Sequence, residues 1–178
     1  VTIATGVSLT GTGVAQFDVA TNGTVVYVPE DPRSLVLVNR SGAMRPAVGE
    51  NHNYHSPRFS PDGQRVAVDF TSPDGRDVWL LRLGDGTLTR TTFLKDGHDP
   101  TWTPDGQFVS FSSTRSGALG IYRVRPGSTA PAESLFASAQ LGYTGVWLTD
   151  QSALITSGPG MEGGSRTDIG IVRNGGRG

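Results

Sequence analysis

The stretches Phe59-Ser-Pro-Asp-Gly63 and Trp102-Thr-Pro-Asp-Gly106 are nearly identical and lie 43 residues apart. A weaker copy of the same unit occurs 40 residues earlier, at Val19-Ala-Thr-Asn-Gly23, and another 45 residues later, at Trp147-Leu-Thr-Asp-Gln151. Four copies at a spacing of 40–45 residues define an internal repeat. The sequence therefore predicts one structural unit that is repeated about four times.

Each copy predicts a hairpin corner followed by further strands. Proline suits the second position of a type I turn, aspartate the third and glycine the fourth. Runs of β-forming residues follow the corners at 24–28, 65–70, 108–112 and 153–156, and second runs lie at 35–38, 78–83, 121–124 and 169–172. Weaker third runs include 88–94 and 133–136. With the short strand before the corner, each copy holds about four strands.

Four short antiparallel strands per 40–45 residues are typical of a β-propeller blade. A blade is a sheet with two apolar faces, and it buries both only between neighbouring blades. The sequence thus predicts an all-β protein of about four four-stranded blades in one domain, 1–178. The approximate blade limits are 16–55, 56–99, 100–143 and 144–178. Phe59, Trp102 and Trp147 are predicted to lie on inner strands and to pack between blades.

Composition excludes several classes of protein. Of 178 residues, 25 are glycine and 11 are proline, which favours many turns over long helices. A net charge of −1 and a pI near 6.3 argue against a nucleic-acid partner. No apolar run is long enough to span a bilayer, so we expect no membrane insertion. The lack of cysteine excludes disulfides, thiol nucleophiles and cysteine-ligated zinc.

Two motifs point to a known family. Ser60-Pro-Asp-Gly63 is followed by Val66-Ala-Val68, and Ser113-Thr-Arg-Ser-Gly117 is followed by Ile121-Tyr-Arg-Val124. This pattern resembles the TolB-like, WD-repeat-like propeller family of bacteria. The family includes periplasmic scaffold proteins, propeller halves of prolyl-oligopeptidase-type peptidases and extracytoplasmic sensor regions of bacterial serine/threonine kinases. The resemblance implies a periplasmic or otherwise extracytoplasmic location.

The two ends of the sequence bear on how the blades close. The last copy lacks an outer strand, whereas residues 1–7 resemble an outer strand without a blade, so we expect the two to join. Family members usually have six or more blades, and this sequence has about four. Three arrangements stay open: a four-bladed ring, a half-ring that pairs with a second copy as a homodimer, and a fragment of a longer propeller. The last two are favoured because four blades close only with strong curvature.

A candidate binding rim lies at one end of the propeller. His55, His98 and Tyr143 each lie four residues before an inner aromatic residue, so we expect them to meet at one channel mouth. The loops between second and third strands each carry one arginine: Arg33, Arg76, Arg115 and Arg166. Imidazole, phenol and guanidinium groups together suit carboxylate or phosphate ligands. In the alternative interpretation, these arginines pair locally with acidic residues of the same loops.

The sequence carries no recognised catalytic motif. Gly-x-Ser-x-Gly, His-Glu-x-x-His and a phosphate-binding glycine loop are all missing. We therefore predict no catalytic residues, no metal site and no cofactor, and a non-catalytic module that binds a protein or peptide. The alternatives are the propeller segment of a larger peptidase, a hydrolase acting through His55 and His98, and the sensor region of a membrane serine/threonine kinase.

Overall fold

The computed structural model describes residues 3–4, 7, 15–28, 34–72, 74–137, 143–159 and 167–174. These residues form β-strands joined by turns and loops, and none of them is helical. The strands group into four antiparallel sheets, and within each sheet the spatial order of strands follows the chain. The predicted all-β propeller is confirmed.

Three blades contain four strands. Blade 1 consists of β1 Phe17–Val19, β2 Val25–Tyr27, β3 Val36–Val38 and β4 Met44–Pro46. Blade 2 consists of β5 Asn53–Phe59, β6 Arg65–Ser72, β7 Gly75–Arg82 and β8 Leu88–Arg90. Blade 3 consists of β9 His98–Trp102, β10 Val109–Ser113, β11 Gly120–Val124 and β12 Glu133–Ala137.

Blade 4 contains three strands within the described part of the chain: β13 Tyr143–Trp147, β14 Ala153–Pro159 and β15 Thr167–Arg173. Most of residues 1–7, the predicted closing strand, lie outside the described residues. Ala4 and Val7 pack, partly buried, against an apolar cluster of blade 1. The closure of blade 4 by residues 1–7 stays a prediction.

The two strongest copies of the repeat form the predicted corners. The N–H of Gly63 donates to the carbonyl of Ser60, and the N–H of Gly106 donates to that of Thr103, both at 2.8 Å. The aspartate inside each turn also accepts a hydrogen bond from the backbone N–H two residues later, at 3.0 and 2.9 Å. Both glycines have φ of +67°, a conformation that other residues rarely adopt. The turn chemistry therefore fixes the start of each second strand.

The core lies between the blades, because successive residues of a strand point to opposite faces of its sheet. In β6, Val66 and Val68 pack toward blade 1 while Ala67 packs toward blade 3. The inner strands pack on one another in the order β1, β5, β9 and β13. Phe17 and Val19 of blade 1, and Ile169 and Ile171 of blade 4, remain exposed. Apolar faces are thus left open at the two end blades.

Tryptophans join neighbouring blades, as predicted for the inner-strand aromatic positions. The indole Nε1 of Trp102 donates to the carbonyl of Arg58 in blade 2 at 3.1 Å. The indole Nε1 of Trp147 donates to the buried Oγ of Ser110 in blade 3 at 3.1 Å. A buried indole N–H needs such a partner, so each bond helps to fix the position of one blade on the preceding one.

Candidate functional site

A bulge interrupts three of the four inner strands at the same position of the repeat. The pairing register shifts between His55 and Arg58 in β5, between His98 and Thr101 in β9, and between Thr144 and Val146 in β13. A bulge inserts an extra residue, bends the strand and redirects side chains. The residues in the bulges therefore reach the neighbouring blade.

Four bulge-level residues form what we call the inter-blade belt: Gln16, Ser56, Asp99 and Thr144. The backbone N–H of Ser56 donates a hydrogen bond to Oε1 of Gln16, beside blade 1, at 2.9 Å. Its Oγ donates to Oδ1 of Asp99 at 2.6 Å. The hydroxyl of Thr144 donates to the carbonyl of Asp99. The belt joins the starts of all four inner strands at one end of the propeller.

Asp99 of the belt and the neighbouring Asp69 have pKa values that are shifted in opposite directions. Burial raises the pKa of Asp69 to about 7, although the Arg76 guanidinium that it contacts acts in the opposite direction. Asp69 also accepts a hydrogen bond from the N–H of Asp99 at 3.1 Å. Burial likewise raises the pKa of Asp99, but hydrogen bonds with His98 and Ser56 outweigh it, so this pKa lies below its ordinary value.

The structure brings three of the predicted rim residues together. The rings of His98 and Tyr143 lie 5.7 Å apart, centroid to centroid. Nδ1 of His98 is 2.8 Å from Oδ2 of Asp99, and Arg76 interacts electrostatically with the same carboxylate. Tyr143 is 53% exposed and Arg76 is one-third exposed, so both can be reached from solvent. We call His98, Tyr143 and Arg76 the mouth cluster.

The other predicted residues lie apart from this cluster or outside the described residues. Nδ1 of His55 is 3.3 Å from Nε2 of Gln16, toward blade 1. Arg115 lies between blades 2 and 3, where its Nη2 is 3.4 Å from Oδ1 of Asp96. Arg33 and Arg166 lie outside the described residues. Arg76 and Arg115 both contact acids, but Asp69 of β6 and Asp96 lie outside the loops that were expected to supply the partners.

A cavity of about 810 Å³ lies between the inner strands, toward the hairpin corners. Phe17, Phe59, Trp102 and Trp147 contribute to its wall. Asp18 also lines the cavity. Burial raises the pKa of its carboxyl, and the hydrogen bond that it accepts from the N–H of Phe59 lowers this pKa by less. Exposed apolar residues of blades 1 and 4 form part of the cavity wall. A further blade packed against either of these faces would therefore alter the shape of the cavity.

Sequence reasoning did not select Gln16 or Asp69 as site residues. Asp69 interrupts the apolar β-run Val66-Ala-Val68 and Phe70, and a charged residue in a buried strand is rare unless it has a partner. An aspartate inside this apolar run therefore indicates a buried carboxyl with a specific partner. The sequence around Gln16 contains no comparable signal, because the role of Gln16 depends on its contact with Ser56, 40 positions away.

The comparison with protein families fits this geometry. The model of the TolB beta propeller domain matches residues 20–170. The chain belongs to the TolB beta propeller domain family. None of the curated proteins matches the sequence significantly.

Solved structures show the same fold at low sequence identity. TolB from Acinetobacter baumannii is 22% identical with a TM-score of 0.72, and the match covers 86% of this chain and 39% of that one. A putative TolB from Agrobacterium tumefaciens is 17% identical with a TM-score of 0.74, covering 88% and 64%. A puromycin-hydrolyzing peptidase of Mycobacterium tuberculosis is 20% identical with a TM-score of 0.70, covering 88% and 28%. The chain thus spans less than two thirds of each of these proteins.

Two further findings concern the described residues alone. They contain no group of three or more histidine, aspartate or glutamate side chains arranged to hold a metal ion. They also contain no helix with the length and apolar character needed to cross a membrane.

Proposed function

We propose that this propeller is a non-catalytic module that binds a protein or peptide at its channel mouth, in the periplasm or another extracytoplasmic compartment. The observation that carries this proposal is the mouth cluster, which the inter-blade belt fixes in place. Family membership and the likeness to TolB structures support a binding role and this location.

The cluster offers hydrogen bonds and an aromatic surface rather than a strong positive field. The carboxylate of Asp99 offsets the charge of Arg76 and forms a hydrogen bond with His98. Tyr143 presents an exposed phenol ring against His98. Tyrosine and arginine are typical anchors of protein interfaces. Because His98 and Arg76 already form hydrogen bonds with Asp99 and Asp69, these two side chains lose little entropy when a partner binds.

The binding test begins with a photo-crosslinking phenylalanine analogue at position 143 in the native host. The same analogue at the exposed Met44, on the outer strand of blade 1, serves as the control. A partner crosslinked only from position 143 is then purified and titrated with the chain. We expect Tyr143→Ala and Arg76→Gln each to weaken binding about tenfold, and Met44→Ala to leave it unchanged. Equal crosslinking from both positions, or unchanged affinity in both variants, contradicts the proposal.

A second candidate is the propeller segment of a larger peptidase. It is favoured by the likeness to the mycobacterial peptidase, of which the match covers 28%. The test is an assay of the isolated chain on peptide, ester and glycoside substrates, with His55→Ala and His98→Ala as controls. Turnover that both variants abolish would show a hydrolase at the mouth. An adjoining hydrolase domain in the same reading frame would favour the segment, and an adjoining kinase domain the sensor alternative.

The exposed apolar faces of blades 1 and 4 support a further proposal about assembly, namely that a second copy pairs with the first to complete a larger ring. Sedimentation of the purified chain tests it. A strict monomer at all concentrations contradicts the paired ring.

A further inference from the structure

The outer edge of blade 4 differs from the outer edges of the other blades. Blades 1–3 each end in a fourth strand, which is β4, β8 or β12. Blade 4 ends at its third strand, β15 Thr167–Arg173, and among the strands that the structure describes only β14 pairs with it. The outer edge of β15 therefore presents backbone N–H and C=O groups to which no described strand bonds.

The outer strands of blades 1–3 carry features that limit pairing with another chain. β4 has three residues and ends at Pro46, and β8 also has three residues. β12 begins at Glu133, and a register shift interrupts its pairing with β11. Short strands, proline, charge and irregular pairing are the usual ways in which proteins protect a sheet edge. In contrast, β15 has seven residues, contains no proline, is uncharged over residues 169–172 and pairs with β14 without a register shift.

The side chains of β15 differ between its two faces. Val172 is buried in the apolar cluster that blade 4 shares with blade 3. Ile169 and Ile171 lie on the opposite face and are 80% and 59% exposed. Large apolar side chains beside an unprotected edge indicate a contact surface.

The pairing with β14 determines which backbone groups of β15 point to the open edge. Just after the strand, the N–H of Asn174 donates to the carbonyl of Ser152, on the β14 side, at 2.8 Å. These directions alternate along an antiparallel strand, so the N–H and C=O groups of residues 167, 169, 171 and 173 point outward. Gly170 lies at the midpoint of these four residues.

We propose that the open edge of β15 pairs with β15 of a second copy of this chain, antiparallel and about a two-fold axis at Gly170. In this register Ile169 lies opposite the partner subunit's Ile171, and Ile171 lies opposite the partner subunit's Ile169. Each outward-pointing residue then meets an outward-pointing residue, which gives about eight backbone hydrogen bonds. The opposed isoleucines lie on one face of the joined sheet, where such cross-strand pairs stabilise it. The partner's strand thus takes the position of a fourth strand in blade 4.

Two observations favour a second copy over another occupant of this edge. The sequence Ile169-Gly-Ile171 is symmetrical about its centre, so the strand complements a reversed copy of itself. Ala4 and Val7 belong to the segment that the sequence predicts as the closing strand of blade 4, but they pack on blade 1. The contact is separate from the mouth cluster, and it uses the edge of β15, whereas the paired ring uses the faces of blades 1 and 4.

Sedimentation equilibrium of the full chain measures the dissociation constant of the dimer. Ile171→Pro removes an outward N–H and places a ring at the open edge, a position where proline breaks no bond within its own sheet. We expect this variant to raise the dissociation constant at least about tenfold. Ile171→Val keeps the N–H and a branched side chain and should change the constant less than about twofold. Val146→Asp, on the exposed face of blade 4 but two strands from the edge, should also leave it unchanged.

Cysteine cross-linking tests the register, since the chain contains no cysteine of its own. An equal mixture of Ile169→Cys and Ile171→Cys is oxidised mildly and compared with each variant alone. Opposed residues in this register have Cα atoms about 5.5 Å apart, within the range of a disulfide, whereas two copies of the same residue lie farther apart. We expect at least about threefold more linked dimer in the mixture. Met44→Cys, at an exposed site on blade 1, should give no linked dimer above background.

Several results would overturn the proposal. These are a strict monomer at all concentrations, an unchanged dimer in Ile171→Pro, or no excess of linked dimer in the mixture. Loss of the dimer in Val146→Asp but not in Ile171→Pro would overturn it in favour of the paired ring. Circular dichroism confirms that Ile171→Pro is folded, and if it is not, the cysteine mixture alone decides.

Discussion

Replacing Asp69 by asparagine is expected to flatten the pH dependence of stability between about pH 5 and pH 7. Asp69 is fully buried, and its pKa is about 7 against an ordinary value of 3.8. Between these two values the folded chain keeps a proton that the unfolded chain releases. Stability from this group is therefore complete below the unfolded pKa and is lost as pH rises through the folded pKa.

The size of the effect follows from proton linkage. One proton of difference changes the free energy of unfolding by about 1.4 kcal/mol per pH unit. Between about pH 5 and pH 7, with the group half titrated at the upper limit, the loss is about 2 kcal/mol. Asp69→Asn removes this component, because the amide does not titrate.

The measurement is urea unfolding of the wild type and Asp69→Asn at about pH 5, 6 and 7. Asp85→Asn is the matched control: Asp85 is exposed and hydrogen bonds with Thr87 lower its pKa, so its effect falls below this pH range. If Asp69→Asn loses as much stability between pH 5 and pH 7 as the wild type does, the reasoning that Asp69 has a raised pKa in the folded chain is refuted.

Three further substitutions test the repeat and its inter-blade contacts. Trp147→Phe removes the indole donor to the buried Ser110 hydroxyl and should lower the free energy of unfolding by about 1–3 kcal/mol in urea titrations; a change below about 0.5 kcal/mol would argue against this bond. Gly75→Ala places a Cβ 2.4 Å from a lysine side chain at φ of +125° and should lower the melting temperature by several degrees, while Gly49→Ala, with open space around it, should not. Thr103→Ala removes the buried hydroxyl that bonds within its corner and should lower the free energy of unfolding by about 1–2 kcal/mol, measured by urea unfolding. Unchanged stability in this variant would mean that the backbone alone holds the corner.

The propeller could be predicted from the sequence because its signals are local. A Pro-Asp-Gly corner depends on the turn preferences of three adjacent residues, and the period of 40–45 residues is visible by self-comparison. The strands that follow Gly63 and Gly106 start where the corner chemistry places them. The inner-strand tryptophans follow from the same repeat, since equivalent positions meet equivalent surroundings in neighbouring blades.

The candidate site could be predicted only in part. His98 and Tyr143 meet at the mouth because they occupy equivalent positions of adjacent repeats, which the sequence shows. Arg115 also occupies a loop of the repeat, yet its side chain contacts Asp96 instead of joining the mouth cluster. The direction taken by a long side chain depends on which partner lies within reach, and sequence spacing does not report that.

The sequence by itself determined the class of fold, the number of blades and the residues of each corner, because these depend on neighbours along the chain. Only the tertiary structure decided the inter-blade belt, the raised pKa of Asp69 and the contact between Arg115 and Asp96. Each of these depends on contacts between residues of different blades, on bulges that redirect side chains, and on burial that changes the energy of a charge. Such quantities are set by how one blade is placed against the next.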